Sequence, residues 1–172
     1  MSFTLRAALL AALLVVVPSA SAQARTCRGA DASGGSASAR ATAVRCLVDE
    51  ARAEAGRAPL KRTLSLTRSA RLKAKHIDRC EQFSHTPCGK PFEAPMKAVG
   101  YARGCYSVAE NLEWIARGAT PRQVLQAWLE SPAHRDTLLS GTYRDTGLAR
   151  RVATLPGSGR VELWVQHFGR RC

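Results

Sequence analysis

Apolar residues recur along the chain at two spacings, one helical and one alternating, and these spacings divide it into blocks. Val44, Leu47, Val48, Ala51 and Ala55 share one helical face, and Gly56 follows where a left-handed C-terminal residue is wanted. This predicts a first helix from about Thr42 to Ala55. Leu66, Ala70, Ala74 and Ile77 form a second face, with Arg68, Arg71, Lys75 and Arg79 turned to water, Ser65 as the expected cap and an end near Cys80. A third face, Val124, Leu125, Trp128 and Leu129, is introduced by Thr120 as cap and Pro121 at the first helical position. Ser131-Pro132 repeats that signal and opens a short helix carrying His134 to Leu139.

Beyond Tyr143 the pattern becomes that of strands. Thr146 to Leu155 and Arg160 to Gly169 are rich in β-formers and flank Pro156-Gly157-Ser158-Gly159, which reads as a β-hairpin, and a further strand is expected around Tyr106 to Trp114. Helices first and an antiparallel hairpin last make an α+β domain, placed at residues 41–172. The stretch from Glu81 to Tyr106 holds Pro87, Pro91, Pro95, Gly89, Gly100 and Gly104. A loop of that length persists in a compact domain when it is functional or pinned, and Cys80, Cys88 and Cys105 are placed to pin it. Residues 23–40, rich in Ala, Ser and Gly, read as a flexible leader.

The N-terminus changes the picture of where such a domain works. Arg6, an apolar run from Ala7 to Val17, Pro18 and then Ala20-Ser21-Ala22 make a secretory signal peptide over residues 1–22. The run is shorter than the roughly 20 residues a spanning helix needs, so no membrane span is expected after cleavage, and the mature chain is expected outside the cell or in the periplasm. Six cysteines, Cys27, Cys46, Cys80, Cys88, Cys105 and Cys172, all follow the signal and suit an oxidising compartment. Six allow 15 pairings. Local reach favours Cys27 with Cys46 and Cys80 with Cys88, leaving Cys105 for Cys172. No CxxC pair is present, which argues against a cysteine zinc site.

Charge adds less. The 172 residues carry 26 Lys and Arg against 13 Asp and Glu, a formal +13, and 21 of the cations are Arg. Such a field attracts anionic polymers without a dedicated pocket. For an exported protein the anionic partners are envelope polymers, with no specific nucleic acid. The arginines are scattered over several helices with no long basic amphipathic helix, which argues against a membrane-active toxin.

Few residues stand out as chemistry. They are His85 in Phe83-Ser84-His85, Glu110 in Ala109-Glu110-Asn111-Leu112, Glu130 in Trp128-Leu129-Glu130-Ser131, and His134 in Ser131-Pro132-Ala133-His134-Arg135. Two imidazoles with two carboxylates can ligate a divalent metal or exchange protons. His76 and His167 read as a helix-surface and a strand residue without a role, and Asn111 and Arg135 read equally well as structural.

With these motifs in this order, followed by Leu138-Leu139, Tyr143, Gly147-Leu148 and Trp164-Val165-Gln166-His167-Phe168-Gly169, the chain resembles the CAP superfamily over about Ala43 to Gly169. That superfamily covers cysteine-rich secretory proteins, antigen 5 and pathogenesis-related class 1 proteins, and the resemblance is to its bacterial secreted branch. It implies an α-β-α sandwich with a central antiparallel sheet, and a cleft in which two His and two Glu hold zinc or another divalent cation. Carried over, His85 and His134 are the cleft histidines and metal ligands, and Glu110 is a cleft carboxylate. Glu130 is the fourth member, although related eukaryotic sequences carry that Glu one residue later, where this chain has Ser131. The reading is a secreted binding or interaction module. The alternative is a metal-dependent, peptidase-like hydrolase with Glu110 as general base, because the chain has no HExxH, no Ser nucleophile elbow and no nucleophilic Cys. A buried hydrogen-bond network that fixes the long loop needs neither metal nor turnover.

Overall fold

Ser36 accepts a hydrogen bond from the Ala39 amide and caps helix α1, Ala37–Glu54, in the computed structural model, which describes residues 27–172. The expected signal peptide over 1–22 and the first residues of the expected leader lie outside the described residues. The helix begins five residues before the expected Thr42. Ala37 to Ala41 are helix-compatible but carry too little apolar bulk to register as a periodic face. Within the stretch read as leader, Cys27 is bonded to Cys46, Ala30 is buried, and Asp31 pairs with Arg122.

A two-residue strand β1, Lys61–Arg62, leads into helix α2, Leu64–Cys80. Its cap is Thr63 rather than the expected Ser65. The Thr63 backbone is extended, its hydroxyl accepts from the Leu66 amide, and Ser65 already lies in the first turn. The long connection is not structureless. It contains a 3-10 turn at Pro87–Gly89 and a short helix α3, Ala94–Ala98, and packs Met96, Tyr101 and Ala102 against Leu66. Strand β2, Tyr106–Ala116, is followed by α4, Pro121–Glu130, with the expected Thr120 cap, and by α5, Pro132–Leu139. The hairpin is β3, Asp145–Leu155, and β4, Gly159–Arg171.

The sheet order is β1-β3-β4-β2, antiparallel except where β1 lies parallel to β3 at Asp145 and Thr146. Alternation along the strands sorts the core into two layers. Leu148, Trp164 and Phe168 face α1, α4 and α5 and meet Val44, Leu47, Val124, Trp128 and Leu138. Ala149, Ala153, Leu163, Val165 and Leu112 face α2 and meet Ala70, Ala74 and Ile77. Helices thus cover both sides of the sheet, and the α-β-α sandwich is present. Gly147 lets α2 cross directly on β3, since a Cβ there would lie 2.1 Å from the Leu66 backbone. Three disulfides, Cys27–Cys46, Cys80–Cys88 and Cys105–Cys172, use every cysteine. No helix among the described residues is long and apolar enough to cross a membrane.

Candidate functional site

The site starts from a strand register. β2 and β4 pair so that Glu110 stands opposite His167, and alternation turns both toward α2. On its face toward the sheet α2 carries Ser69 and Lys73 among Leu66, Ala70 and Ile77. One carboxylate therefore collects three donors. His167 Nε2 lies 2.8 Å from Oε2, His85 Nδ1 lies 2.8 Å from Oε1, and Lys73 Nζ lies 3.1 Å from Oε1. The Glu110 and Lys73 side chains are each 1% exposed. Charges so buried persist only when paired.

Burial works to raise the Glu110 pKa, but hydrogen bonds from His167 and His85 and the Lys73 charge outweigh it and hold the carboxyl below its usual range. Burial lowers the Lys73 pKa against the pull of Glu110, and lowers that of His167 in the same way. A neutral His167 gives its Nε2 proton to Glu110 and leaves Nδ1 as an acceptor. Ser69 Oγ lies 2.7 Å from that Nδ1 and gives it the one hydroxyl proton, with the Leu66 carbonyl, 2.9 Å away, as the competing acceptor.

His85 reaches the carboxylate from a pinned loop. The Cys80–Cys88 bridge closes the chain around it, Lys73 donates to its carbonyl, and Gln82 accepts from the Cys88 amide. With Nδ1 facing the ionised Glu110, the neutral form of the ring carries its lone pair on Nε2, on a side chain that is 55% exposed. His134 sits on α5, its carbonyl taking the Asn111 side-chain amide at 2.9 Å. Burial, and then the nearby His85, lower its pKa, and its buried Nδ1 meets no hydrogen-bonding partner. Glu130 is exposed at the end of α4, accepts from Gln126 at 2.9 Å, and makes no hydrogen bond or ion pair with the other three. Pro132 interrupts the helix between Glu130 and His134.

The structure thus joins His85 to Glu110 directly and brings His134 into their neighbourhood, while Glu130 has no bond to them. His167, read as a strand residue without a role, is the far side of the same cluster, and the sequence reading assigned nothing to Ser69 or Lys73. A signal existed for each. His167 continues the inward stripe Val161, Leu163, Val165, and Lys73 falls on the apolar face of α2, where a polar residue implies a buried partner.

Among the described residues the one group with three ligand atoms in mutual reach is Cys27, Cys46 and Glu50, and its cysteines are spent on a disulfide. His85, Glu110 and His134 do not form such a group, so a divalent ion there would rest on His85 Nε2 and the imidazole of His134 alone. Glu110 fits behind His85 as its orienting carboxylate, since both its oxygens are engaged. The connectivity Ser69, His167, Glu110 is that of a hydrolytic triad, but Ser69 and His167 are fully buried and no substrate reaches the hydroxyl. A carboxylate held below its ordinary pKa by three donors is also a poor general base.

The model of the cysteine-rich secretory protein family, CAP, matches residues 46–168. A relative from Bacillus subtilis strain 168, described as uncharacterized protein YkwD, is 33% identical over 129 residues, covering 71% of this chain and 44% of that protein. The chain therefore spans less than half of that relative's length. Among solved structures, an extracellular SCP-domain protein of Bacillus anthracis superposes with a TM-score of 0.64 at 18% identity, over 78% of this chain and 41% of that one. An outer surface protein of Borrelia burgdorferi gives 0.60 at 22% identity, over 75% and 90%. A cysteine-rich secretory protein of Staphylococcus aureus gives 0.55 at 16%, over 77% and 38%.

Proposed function

The chain belongs to the cysteine-rich secretory protein (CAP) family, and on that premise we propose that it is an exported, disulfide-stabilised binding or interaction module of the periplasm or cell exterior. Its cleft presents His85 and His134 to a divalent cation or a polar ligand. Its basic surface meets anionic envelope polymers. The observation that carries a binding role over turnover is the state of Glu110, which is buried, ionised and engaged at both oxygens, so that it holds His85 in place. Three disulfides support export, as does the signal-like N-terminus.

Calorimetric titration of the mature protein with zinc tests the cleft. Neutral imidazole is the ligand form, so protons compete with metal, and binding at pH 7.5 is expected to fade at pH 5.5, below the ordinary His pKa near 6.5. His85→Ala with His134→Ala is expected to abolish it. Equal affinity in wild type and double variant, or no binding at either pH, refutes the metal reading of the cleft.

A further inference from the structure

Past Thr146 the outer edge of β3 loses its partner. Thr146 accepts from the Thr63 amide on that edge, and β1 pairs with β3 only at Asp145 and Thr146. By alternation, Leu148 and Arg150 direct their backbone groups to the same open edge. A hollow of about 70 Å³ lies there between α1 and α2, toward the sheet edge opposite β2, the strand that carries Glu110. It is much smaller than the roughly 300–1,000 Å³ of a drug-sized ligand site and suits a single compact group. Small residues, Ala37, Ala41 and Ala149, leave the space open.

Its rim is made of arginines, one from each of four elements: Arg45 of α1, Arg62 of β1, Arg71 of α2 and Arg150 of β3. No Asp or Glu lines it. Arg45 is partly answered by Asp49 at 3.2 Å, and Arg150 shares Glu162 with Arg40, so one carboxylate there faces two guanidiniums. Arg62 and Arg71 are exposed, with no ion pair or hydrogen bond from their side chains among the described residues. Guanidinium forks match the oxygens of carboxylates and phosphates. A carboxylate is planar and is satisfied by one fork, whereas two free forks arriving from separate elements, Arg62 of β1 and Arg71 of α2, suit a tetrahedral oxyanion.

We propose that this arginine-rimmed hollow on the open edge of β3 binds a phosphate group, free or carried as an ester. The inference rests on the placement of the arginines and stands whether or not the cleft binds metal. Arg62 and Arg71 supply the uncommitted charge, and Arg45 and Arg150, already paired with Asp49 and Glu162, complete the rim.

Titration of isotope-labelled mature protein with inorganic phosphate at constant ionic strength, followed by amide NMR, tests it. Saturable shifts are expected at Ala37 to Thr42, Thr67 to Arg71 and Leu148 to Arg150. Arg62→Gln with Arg71→Gln is expected to weaken binding at least tenfold. Arg117→Gln with Arg160→Gln, which removes the same charge from exposed sites elsewhere, should leave it unchanged, and the spectra themselves report folding. Equal weakening by both pairs, or shifts that never saturate, would reduce the effect to net charge and overturn the site. Two further arms, a soluble poly(glycerol phosphate) and phosphatidylglycerol vesicles against phosphatidylcholine ones, identify the source. The arm sensitive to Arg62 and Arg71 but not to Arg117 and Arg160 carries the natural ester, and phosphate binding without either assigns the free anion.

Discussion

Replacing Glu110 by Gln keeps the shape of the side chain and removes the one charge that answers Lys73. The ammonium, 1% exposed, would retain the His85 carbonyl but no anion. Breaking a buried pair from one side typically costs about 3–5 kcal/mol. Lys73 can limit the damage by losing its proton, and holding a lysine neutral at pH 7 against an ordinary pKa near 10.4 costs about 4.6 kcal/mol, so the two estimates agree. The amide also brings a donor toward His85 Nδ1 or His167 Nε2, where a carboxylate accepted from both. Removing both charges together, as Lys73→Met with Glu110→Gln, discards the pair without leaving either member stranded, and should cost less than Glu110→Gln alone.

Urea unfolding of the oxidised protein at pH 7 across the four-membered cycle measures this coupling. The expected result is a loss of about 3–5 kcal/mol for Glu110→Gln and recovery of at least about 1 kcal/mol of it in the double variant. The pH profile supplies an independent sign. Burial depresses the Lys73 pKa in the folded state, so the deficit of Glu110→Gln is largest below that value and should vanish as pH rises through the unfolded value near 10.4. A Glu110→Gln variant within about 0.5 kcal/mol of wild type, or strictly additive substitutions, refutes the account of a charge held by Lys73.

The disulfides should rank by the loop each closes. With partners 67, 19 and 8 positions apart in the chain, chain entropy gives about 4.4, 3.2 and 2.5 kcal/mol. Paired Cys→Ser variants compared by thermal midpoint check the order, and a Cys105/Cys172 variant as stable as wild type refutes it. Glu162, buried between Arg40 and Arg150, has its pKa brought down to about 2, because those ion pairs outweigh the burial that opposes them. Its contribution is present above the unfolded carboxylate pKa near 4.3 and is lost as pH falls toward 2, so stability measured from pH 5 to pH 2 should fall less steeply in Glu162→Gln. An unchanged slope contradicts this. Ser69→Ala should cost about 1–3 kcal/mol by leaving His167 Nδ1 buried without a donor, and a neutral substitution in urea unfolding would show that Nδ1 needs none.

Strong periodicity made α2, α4 and the hairpin legible, and the cap chemistry of Thr120-Pro121 marked α4 to the residue. β1 was not legible, because two residues carry no alternation and Lys61 and Arg62 form a strand only where β3 offers its edge. The early start of α1 was hidden for a related reason, since Ala37 and Ser38 allow a helix without demanding one. At the site, ordered motifs picked out His85, Glu110 and His134. They missed Lys73 and His167, whose polarity makes sense only through Glu110, 57 residues from His167 in the chain. A reading by hydropathy discards polar residues on a buried face, and these are the ones that long-range pairing explains.

The missed residues decide what the visible ones can do. Because burial keeps His167 neutral, its Nε2 carries a proton and must donate it, so Glu110 receives a hydrogen bond there and remains an anion. Because Glu110 is an anion, His85 presents Nδ1–H to it, which turns Nε2 outward. Because Lys73 also grips the His85 carbonyl, the backbone of the Cys80–Cys88 loop is held at the same point as the ring. The order of control therefore runs from α2 and β4 inside to the exposed imidazole outside. A change at Lys73 or His167 would alter the tautomer and aim of His85 without touching any atom that a ligand meets. That order leaves the carboxylate with no free oxygen for chemistry of its own, which is what the proposed binding role requires of it.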